Sequence, residues 1–164
     1  MRATMYLLIT GVLATACGGH GGHGDEHGDE TTEADACEHM IEGPAEAVTA
    51  GADMAADAPD VGEHHTRFDV ALVADGDMYG GYVDLVVEEE GVSELFLDRS
   101  VPIKVWSPGG SEIMAHHAQT SITACTEVSL GIGYQLGVGT YLLGFGPTTE
   151  PAVSLVVVLE GEEH

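Results

Sequence analysis

Histidine and acidic side chains are concentrated in a glycine-rich tract near the start of the chain, where they could bind metal ions. This tract, called the tether below (residues 17–35), contains Gly-Gly-His twice and His-Gly-Asp-Glu twice, with almost no large apolar side chain. Imidazole nitrogens and carboxylate oxygens together suit Zn(II), Cu(II) or Ni(II). The predicted metal ligands are His20, His23, His27, Asp25, Glu26, Asp29 and Glu30. Because an unstructured site loses chain entropy on binding, we expect only micromolar affinity.

Two interpretations of the tether stay open at this stage. Its composition resembles the His-rich, acid-rich loops of bacterial zinc and nickel handling proteins, and the resemblance implies that the tether handles metal. The alternative is a solvated spacer, because a Gly-rich coil buries no core and only separates the parts that it connects.

Two of the three cysteines are predicted to form a disulfide. Cys37 and Cys125 are far apart in sequence, and closing so long a loop would stabilise the fold by about 4–5 kcal/mol in the chain-entropy model. The alternative is a soft-metal site formed by Cys37, His39 and Cys125, since Cys-x-His on a strand places both side chains on one face. The export signal described below favours the disulfide, because exported proteins meet an oxidising environment.

Two histidine doublets suggest a further metal site. Neighbouring residues point in different directions on a strand or a helix, so each doublet can give only one ligand to a single ion. Such a site would take one histidine from His64–His65, one from His116–His117, and a carboxylate from Glu63 or Glu112. We favour the simpler interpretation that these are loop histidines beside strand ends.

The remaining motifs indicate structure rather than chemistry. The run Asp75-Gly76-Asp77 begins like a calcium loop, but Val86 stands at the twelfth position, where a bidentate glutamate is required. We therefore predict a β-hairpin turn there. The sequence contains no G-x-S-x-G, H-E-x-x-H, Walker or dinucleotide-binding motif, and this predicts a protein without enzymatic activity.

The charge of the chain excludes two classes of partner. There are 28 acidic residues against 4 basic ones, which gives a formal net charge of -24. Nucleic acids and anionic lipid headgroups are bound by clustered Lys and Arg, and this sequence cannot supply such a cluster. Cations are the ligands that its electrostatic field attracts.

The first residues are predicted to be an export signal. Residues 1–16 contain Arg2 and then an apolar run, Met5–Leu13, which is too short to span a bilayer. The segment Leu13-Ala14-Thr15-Ala16-Cys17-Gly18 resembles the lipobox of bacterial lipoproteins, although Ala14 stands where leucine is commonest. The resemblance implies acylation of Cys17 and anchoring in a bacterial cell envelope, with the outer membrane favoured because Gly18 is not aspartate. The alternative is cleavage after Ala16 to give a soluble secreted protein, which would leave an odd thiol.

The rest of the chain predicts an all-β fold. A short Ala-rich helical or irregular segment (36–60) is expected to precede a small antiparallel β-sandwich or barrel-like domain (61–160). We predict a helix over Glu33–Glu42, stopped at Gly43-Pro44, and a second over Pro44–Met54. Alternating or apolar β-branched runs predict strands at 66–74, 79–87, 92–97, 101–106, 134–136, 140–145 and 152–159. Within 111–130 we expect further strands at Glu112–His117, where a short helix is the alternative, and at Ser121–Cys125.

These features together predict a lipid-anchored, extracytoplasmic, non-catalytic binding or structural module. The run Gly139-Thr140-Tyr141-Leu142-Leu143 before the last strand weakly resembles small secreted sandwich domains of the pre-peptidase C-terminal type, and the resemblance implies an accessory binding role. The alternative function is a periplasmic metal chaperone or buffer for zinc, copper or nickel, with no other cofactor.

Overall fold

A computed structural model describes residues 31–159 of the chain, with the exception of Ala56, Ser121 and Ala124. Within these residues the chain forms one α-helix and two β-sheets. The elements are α1 (Thr32–Glu42), β1 (Ala45–Thr49), β2 (Arg67–Ala71), β3 (Val73–Asp75), β4 (Met78–Val87), β5 (Gly91–Leu97), β6 (Ile103–Trp106), β7 (Glu112–Ile113), β8 (His117–Gln119), β9 (Leu130–Leu136), β10 (Gly139–Thr148) and β11 (Ala152–Leu159). The prediction of an all-β, sandwich-like fold is confirmed.

The two sheets face each other across one apolar core. The first sheet has the order β1-β2-β11-β5-β9-β8 and the second has the order β3-β4-β10-β6-β7. All neighbouring strands are antiparallel except β1 and β2, which run parallel. Side chains alternate along each strand, so β4 buries Val83, Leu85 and Val87 in this core, as the sequence pattern predicts.

Helix α1 packs against the outer face of the first sheet. It starts at the N-cap Thr31, whose hydroxyl oxygen accepts a hydrogen bond from the backbone N–H of Ala34, and it ends at Gly43. Ala36 and Met40 lie on its buried face, in a second apolar cluster with Phe96, Val128, Val156 and Val158. The predicted helix Glu33–Glu42 is thus confirmed, but its first turn lies in residues that we had assigned to the tether.

The prediction of a second helix over Pro44–Met54 is wrong. Residues Ala45–Thr49 form β1, which pairs along its length with β2 at one edge of the first sheet. Alanine has the highest intrinsic helix propensity, but propensity is a weak determinant of structure, and the backbone hydrogen bonds offered by an open sheet edge outweigh it. The sandwich therefore includes residues before 61, where the sequence placed its boundary.

The predicted strand over 66–74 is divided between the two sheets. β2 belongs to the first sheet and β3 to the second, and the buried Leu72 lies between them. The turn after β3 forms the predicted hairpin, in which Asp75 pairs with Met78 and Gly76 has a φ of 63°. Glycine adopts this left-handed conformation without steric cost.

The segment 111–130 is less regular than expected. The stretch Glu112–His117 contains β7 and the first residue of β8, at edges of opposite sheets, and no helix. The strand predicted over Ser121–Cys125 is not formed by its described residues, which are irregular. Among all the described residues, no helix is both long and apolar enough to cross a lipid bilayer.

Candidate metal centre

Two histidines and one aspartate converge beside α1. Asp35 and His39 stand four residues apart on the helix, so their side chains project from the same face, one turn apart. His65 lies in the turn that leads into β2. Because α1 packs across the first sheet, this turn faces the side of the helix that carries Asp35 and His39.

The donor atoms of these residues lie within ligand distance of one another. His39 Nε2 is 3.1 Å from Asp35 Oδ1 and 2.9 Å from His65 Nδ1. His65 Nδ1 is 3.5 Å from Asp35 Oδ2. Two imidazole nitrogens and a carboxylate therefore lie around one small volume.

This spacing fits a first-row divalent metal ion. Zinc bonds of about 2.0–2.1 Å to nitrogen and oxygen place tetrahedral donors roughly 3.3 Å apart. The observed separations of 2.9, 3.1 and 3.5 Å bracket that value. A set of two histidines and one carboxylate suits zinc, copper, nickel and iron, and it leaves at least one coordination position for water or another ligand.

The cluster, called the Asp35–His39–His65 triad below, is partly open to solvent. The side chains of Asp35, His39 and His65 are 13, 20 and 28% exposed. Among the described residues, no group forms a hydrogen bond with the buried Nδ1 of His39. A metal-bound histidine usually donates its other N–H to an acceptor, and loss of such a partner weakens metal affinity by about 10–100-fold.

The backbone of His65 is held in an unusual conformation. Its φ of 59° lies in the left-handed region, where a side chain other than glycine is strained. Nearby, Arg67 Nη1 donates a 3.0 Å hydrogen bond to the backbone carbonyl of Met40 and thus connects the end of α1 to β2. This hydrogen bond helps to fix the position of the His65 turn relative to the helix.

The disulfide between Cys37 and Cys125 is present, as predicted. It joins α1 to the irregular segment between β8 and β9. The alternative soft-metal site of Cys37, His39 and Cys125 is not assembled, because the two sulfurs are bonded to each other and the His39 ring faces Asp35 and His65.

Among the described residues, no cluster of metal ligands contains a histidine from each doublet. His65 contacts His39 rather than either histidine of the second doublet, and His117 pairs with Glu94 through a 3.0 Å contact between Nε2 and Oε1. The less favoured alternative, in which one histidine of each doublet and Glu63 or Glu112 bind one ion, is therefore not formed. Glu112 instead accepts a hydrogen bond from Lys104 Nζ.

The tether ligands that the sequence predicts fall on residues outside the described part of the chain. This holds for His20, His23, His27, Asp25, Glu26, Asp29 and Glu30, and also for the lipidation residue Cys17. Sequence reasoning missed the folded triad, although Asp35 and His39 at helical spacing on a predicted helix were a usable signal. No local pattern indicated His65 as their partner.

A second imidazole–carboxylate contact occupies a cleft on the other flank of α1. Glu94 on β5 and His117 on β8 lie on either side of Gly133 on β9. A Cβ at Gly133 would lie 2.7 Å from Glu94 Oε1 and 2.9 Å from His117 Nδ1, so any larger residue would force one of the two side chains to shift. The cleft has a volume of about 360 Å³ and includes Glu33, Phe96 and Gln119 in its walls.

The fold and the triad together define a class of protein: a β-sandwich with a helix attached by a disulfide and a candidate three-ligand metal centre at the helix. Comparison with protein-family models finds no match, and comparison with curated proteins finds none either.

Proposed function

We propose that this protein is a non-catalytic module that binds and exchanges a divalent transition-metal ion, most simply zinc, outside the cytosol. The observation that carries the proposal is the convergence of His39 Nε2, His65 Nδ1 and the Asp35 carboxylate within 3.5 Å of one another. Its function would be that of a metal buffer or chaperone rather than a structural zinc protein.

Exchange rather than permanent retention follows from three features of the triad. It supplies three ligands where a closed structural site supplies four, so an incoming ligand can bind the metal. Its side chains are partly exposed. The His39 ring has no hydrogen-bonding partner at Nδ1 among the described residues, which lowers the expected affinity.

The charge of the chain supports the same role. A formal net charge of -24 raises the local concentration of cations around the protein. The predicted tether ligands precede α1 directly in sequence, so weak capture by the tether would deliver ions close to Asp35 and His39. We propose that the tether collects metal and that the triad holds it.

Zinc titration by calorimetry tests the triad. To remove the contribution of the tether, each protein carries H20A, H23A and H27A. In this background we expect one zinc per chain, and affinity at least about tenfold weaker in H39A and in H65A, because each loses one of three ligands. H116A is the matched control, since His116 lies outside the triad, and it should bind like the parent.

Two results would speak against this assignment. If the tether-deficient parent binds no zinc, the folded part is not a metal site. If H39A and H65A bind zinc as tightly as H116A does, the ion is held elsewhere.

We also infer that the mature protein is anchored in the bacterial envelope through acylated Cys17. The lipobox-like sequence supports this, and a disulfide is typical of proteins that leave the reducing cytosol. Metabolic labelling with a fatty acid, followed by mass spectrometry of the N-terminus, tests the inference. The wild-type chain should be labelled and found with membranes, whereas C17S should be unlabelled. An unlabelled wild-type protein in the aqueous fraction contradicts anchoring and supports secretion.

A further inference from the structure

The disulfide and two of the three triad ligands are carried by the same short helix. Cys37 lies between Asp35 and His39 on α1, and its partner Cys125 belongs to the segment between β8 and β9. The third ligand, His65, stands on the opposite side of the cluster, in the turn before β2. The triad therefore exists only when α1 is docked on the sheet.

Apolar and polar contacts also hold α1 in place. Of its 11 residues, Ala36 and Met40 are buried against the sheet. Polar contacts add the Arg67 bond to the Met40 carbonyl and a 2.8 Å hydrogen bond from Gln119 Nε2 to Glu33 Oε1. A helix of this length is only marginally stable in isolation, so its order depends on docking.

The disulfide adds a covalent tie to these contacts. Cys125, like Ile122, also packs at the margin of the apolar cluster beneath α1, which includes Val128. Breaking the bond removes the covalent link between α1 and the segment that carries Cys125. It also loosens the apolar cluster against which the helix packs. The ligands on α1 would then sample positions away from His65.

We infer that formation of the Cys37–Cys125 disulfide is the step that makes the triad competent to bind metal. This inference rests on the proposed function, since it concerns the regulation of that same site. A disulfide-bearing oxidant accepts two electrons and two protons from the two thiols, and the sulfurs become bonded to each other. Oxidation strengthens metal binding at the triad relative to the reduced chain, so loading of this site is favoured in an oxidising compartment.

The coupling must be reciprocal. If oxidation strengthens metal binding by some factor, bound metal makes the disulfide harder to reduce by the same factor. A dithiol reductant donates two electrons and two protons, so that Cys37 and Cys125 become thiols and the reductant closes to its own disulfide. Zinc bound at the triad should oppose this reaction.

The experiment uses the full chain with C17S, H20A, H23A and H27A, which leaves one cysteine pair and no tether histidines. Zinc affinity is measured for the oxidised protein and for the same protein with C37S and C125S added. We expect affinity at least about tenfold weaker in the double serine variant. Fluorescence of Trp106, in β6 of the other sheet, reports whether the sandwich remains folded.

A second measurement does not depend on the serine variant folding. The oxidised protein is equilibrated with dithiothreitol, with and without zinc, and the protein thiols are counted. H39A measured at the same zinc and dithiothreitol concentrations corrects for zinc bound by the reductant. We expect zinc to raise the dithiothreitol concentration needed for half reduction at least about tenfold, and H39A to abolish this protection.

The outcomes separate the inference from the proposed function. If the oxidised parent binds no zinc, the proposed function fails. If it binds zinc, but the folded serine variant binds equally well or zinc gives no protection that depends on His39, the triad assembles without the disulfide and the inference is overturned.

Discussion

His65 keeps a backbone conformation that costs stability, with a φ of 59°. The left-handed region costs a residue with a Cβ roughly 1 kcal/mol relative to glycine. In this conformation the imidazole lies against His39 and Asp35.

Substitution at His65 should therefore separate stability from metal binding. H65G and H65A both remove the ligand, but only H65G relieves the strain. We expect H65G to be more stable than H65A by about 1 kcal/mol in urea unfolding without metal, and both to lose zinc binding at the triad. Equal stability of the two variants would show that the turn relaxes when the imidazole is removed.

Asp84 gives the fold a pH dependence of defined sign. Burial, followed by the nearby charges of Asp60 and Asp57, raises the pKa of Asp84 above its ordinary value. The native state therefore binds this proton more tightly than the unfolded chain does. Protonation of Asp84 stabilises the fold fully below the ordinary pKa of about 4. This stabilisation is lost as the pH rises through the higher pKa that Asp84 has in the folded state.

D84N mimics the protonated form of Asp84, so the variant should keep the stability that the wild type loses when this carboxyl group ionises. We expect its urea midpoint to exceed that of the wild type at pH 7, with the difference shrinking toward pH 4. D77N, which removes one negative charge from the exposed hairpin turn, is the control for net charge. A D84N advantage that is the same at both pH values, or one matched by D77N, would contradict the assigned cause.

At the scale of elements, α1 depends on a small apolar cluster. Met40 is 5% exposed and packs with Phe96, Val156 and Val158. M40A should lower the free energy of unfolding by about 2–3 kcal/mol, because it removes buried apolar area and leaves a cavity. E38A, on the exposed face of the same helix, should change it by less than about 0.5 kcal/mol. Similar effects of both variants would mean that the helix is held by its polar contacts and disulfide.

The elements also show where sequence patterns are reliable. The strands with long alternating or apolar runs, such as β4 and β11, lie where the pattern predicts them. Apolar residues alternate along β4 because one face of this strand is buried, so the two-residue period of the sequence is enough to identify it as a strand. β1 is different: it is mostly exposed, and its alanines favour a helix, so only the presence of β2 beside it determines its conformation.

At the scale of the whole molecule, the net charge of -24 opposes compaction. The described basic residues are already paired, as in the contacts of Arg99 with Asp98 and Glu150 and of Lys104 with Glu112. Most of the remaining acidic side chains therefore repel one another across the surface, and this repulsion is screened by salt.

Moderate salt should thus stabilise the protein. We expect the melting temperature to rise by several degrees between about 10 mM and 150 mM ionic strength, where the Debye length falls from roughly 30 to 8 Å. Sodium chloride and sodium sulfate at equal ionic strength should act alike if screening is the cause. A melting temperature that falls with salt would show that the few ion pairs matter more than the general repulsion.

The sequence by itself determined the features that depend on local composition and period. The all-β class, the hairpin at Asp75–Asp77, the helix that ends at Gly43 and the pairing of the only two cysteines downstream of Cys17 all follow from such signals. Each of these is specified by neighbouring residues or, for the cysteines, by counting.

Only the tertiary structure decided which residues meet at the Asp35–His39–His65 triad. His65 is 26 residues from His39 along the chain, and the two rings come within 2.9 Å because α1 docks beside the turn that begins β2. A short helix can be placed on a sheet in many ways that satisfy the same local pattern. The disulfide, the Met40 cluster and the Arg67 contact together select the placement. These contacts join residues that are distant in sequence, so they cannot be predicted from the local spacing of histidine and aspartate.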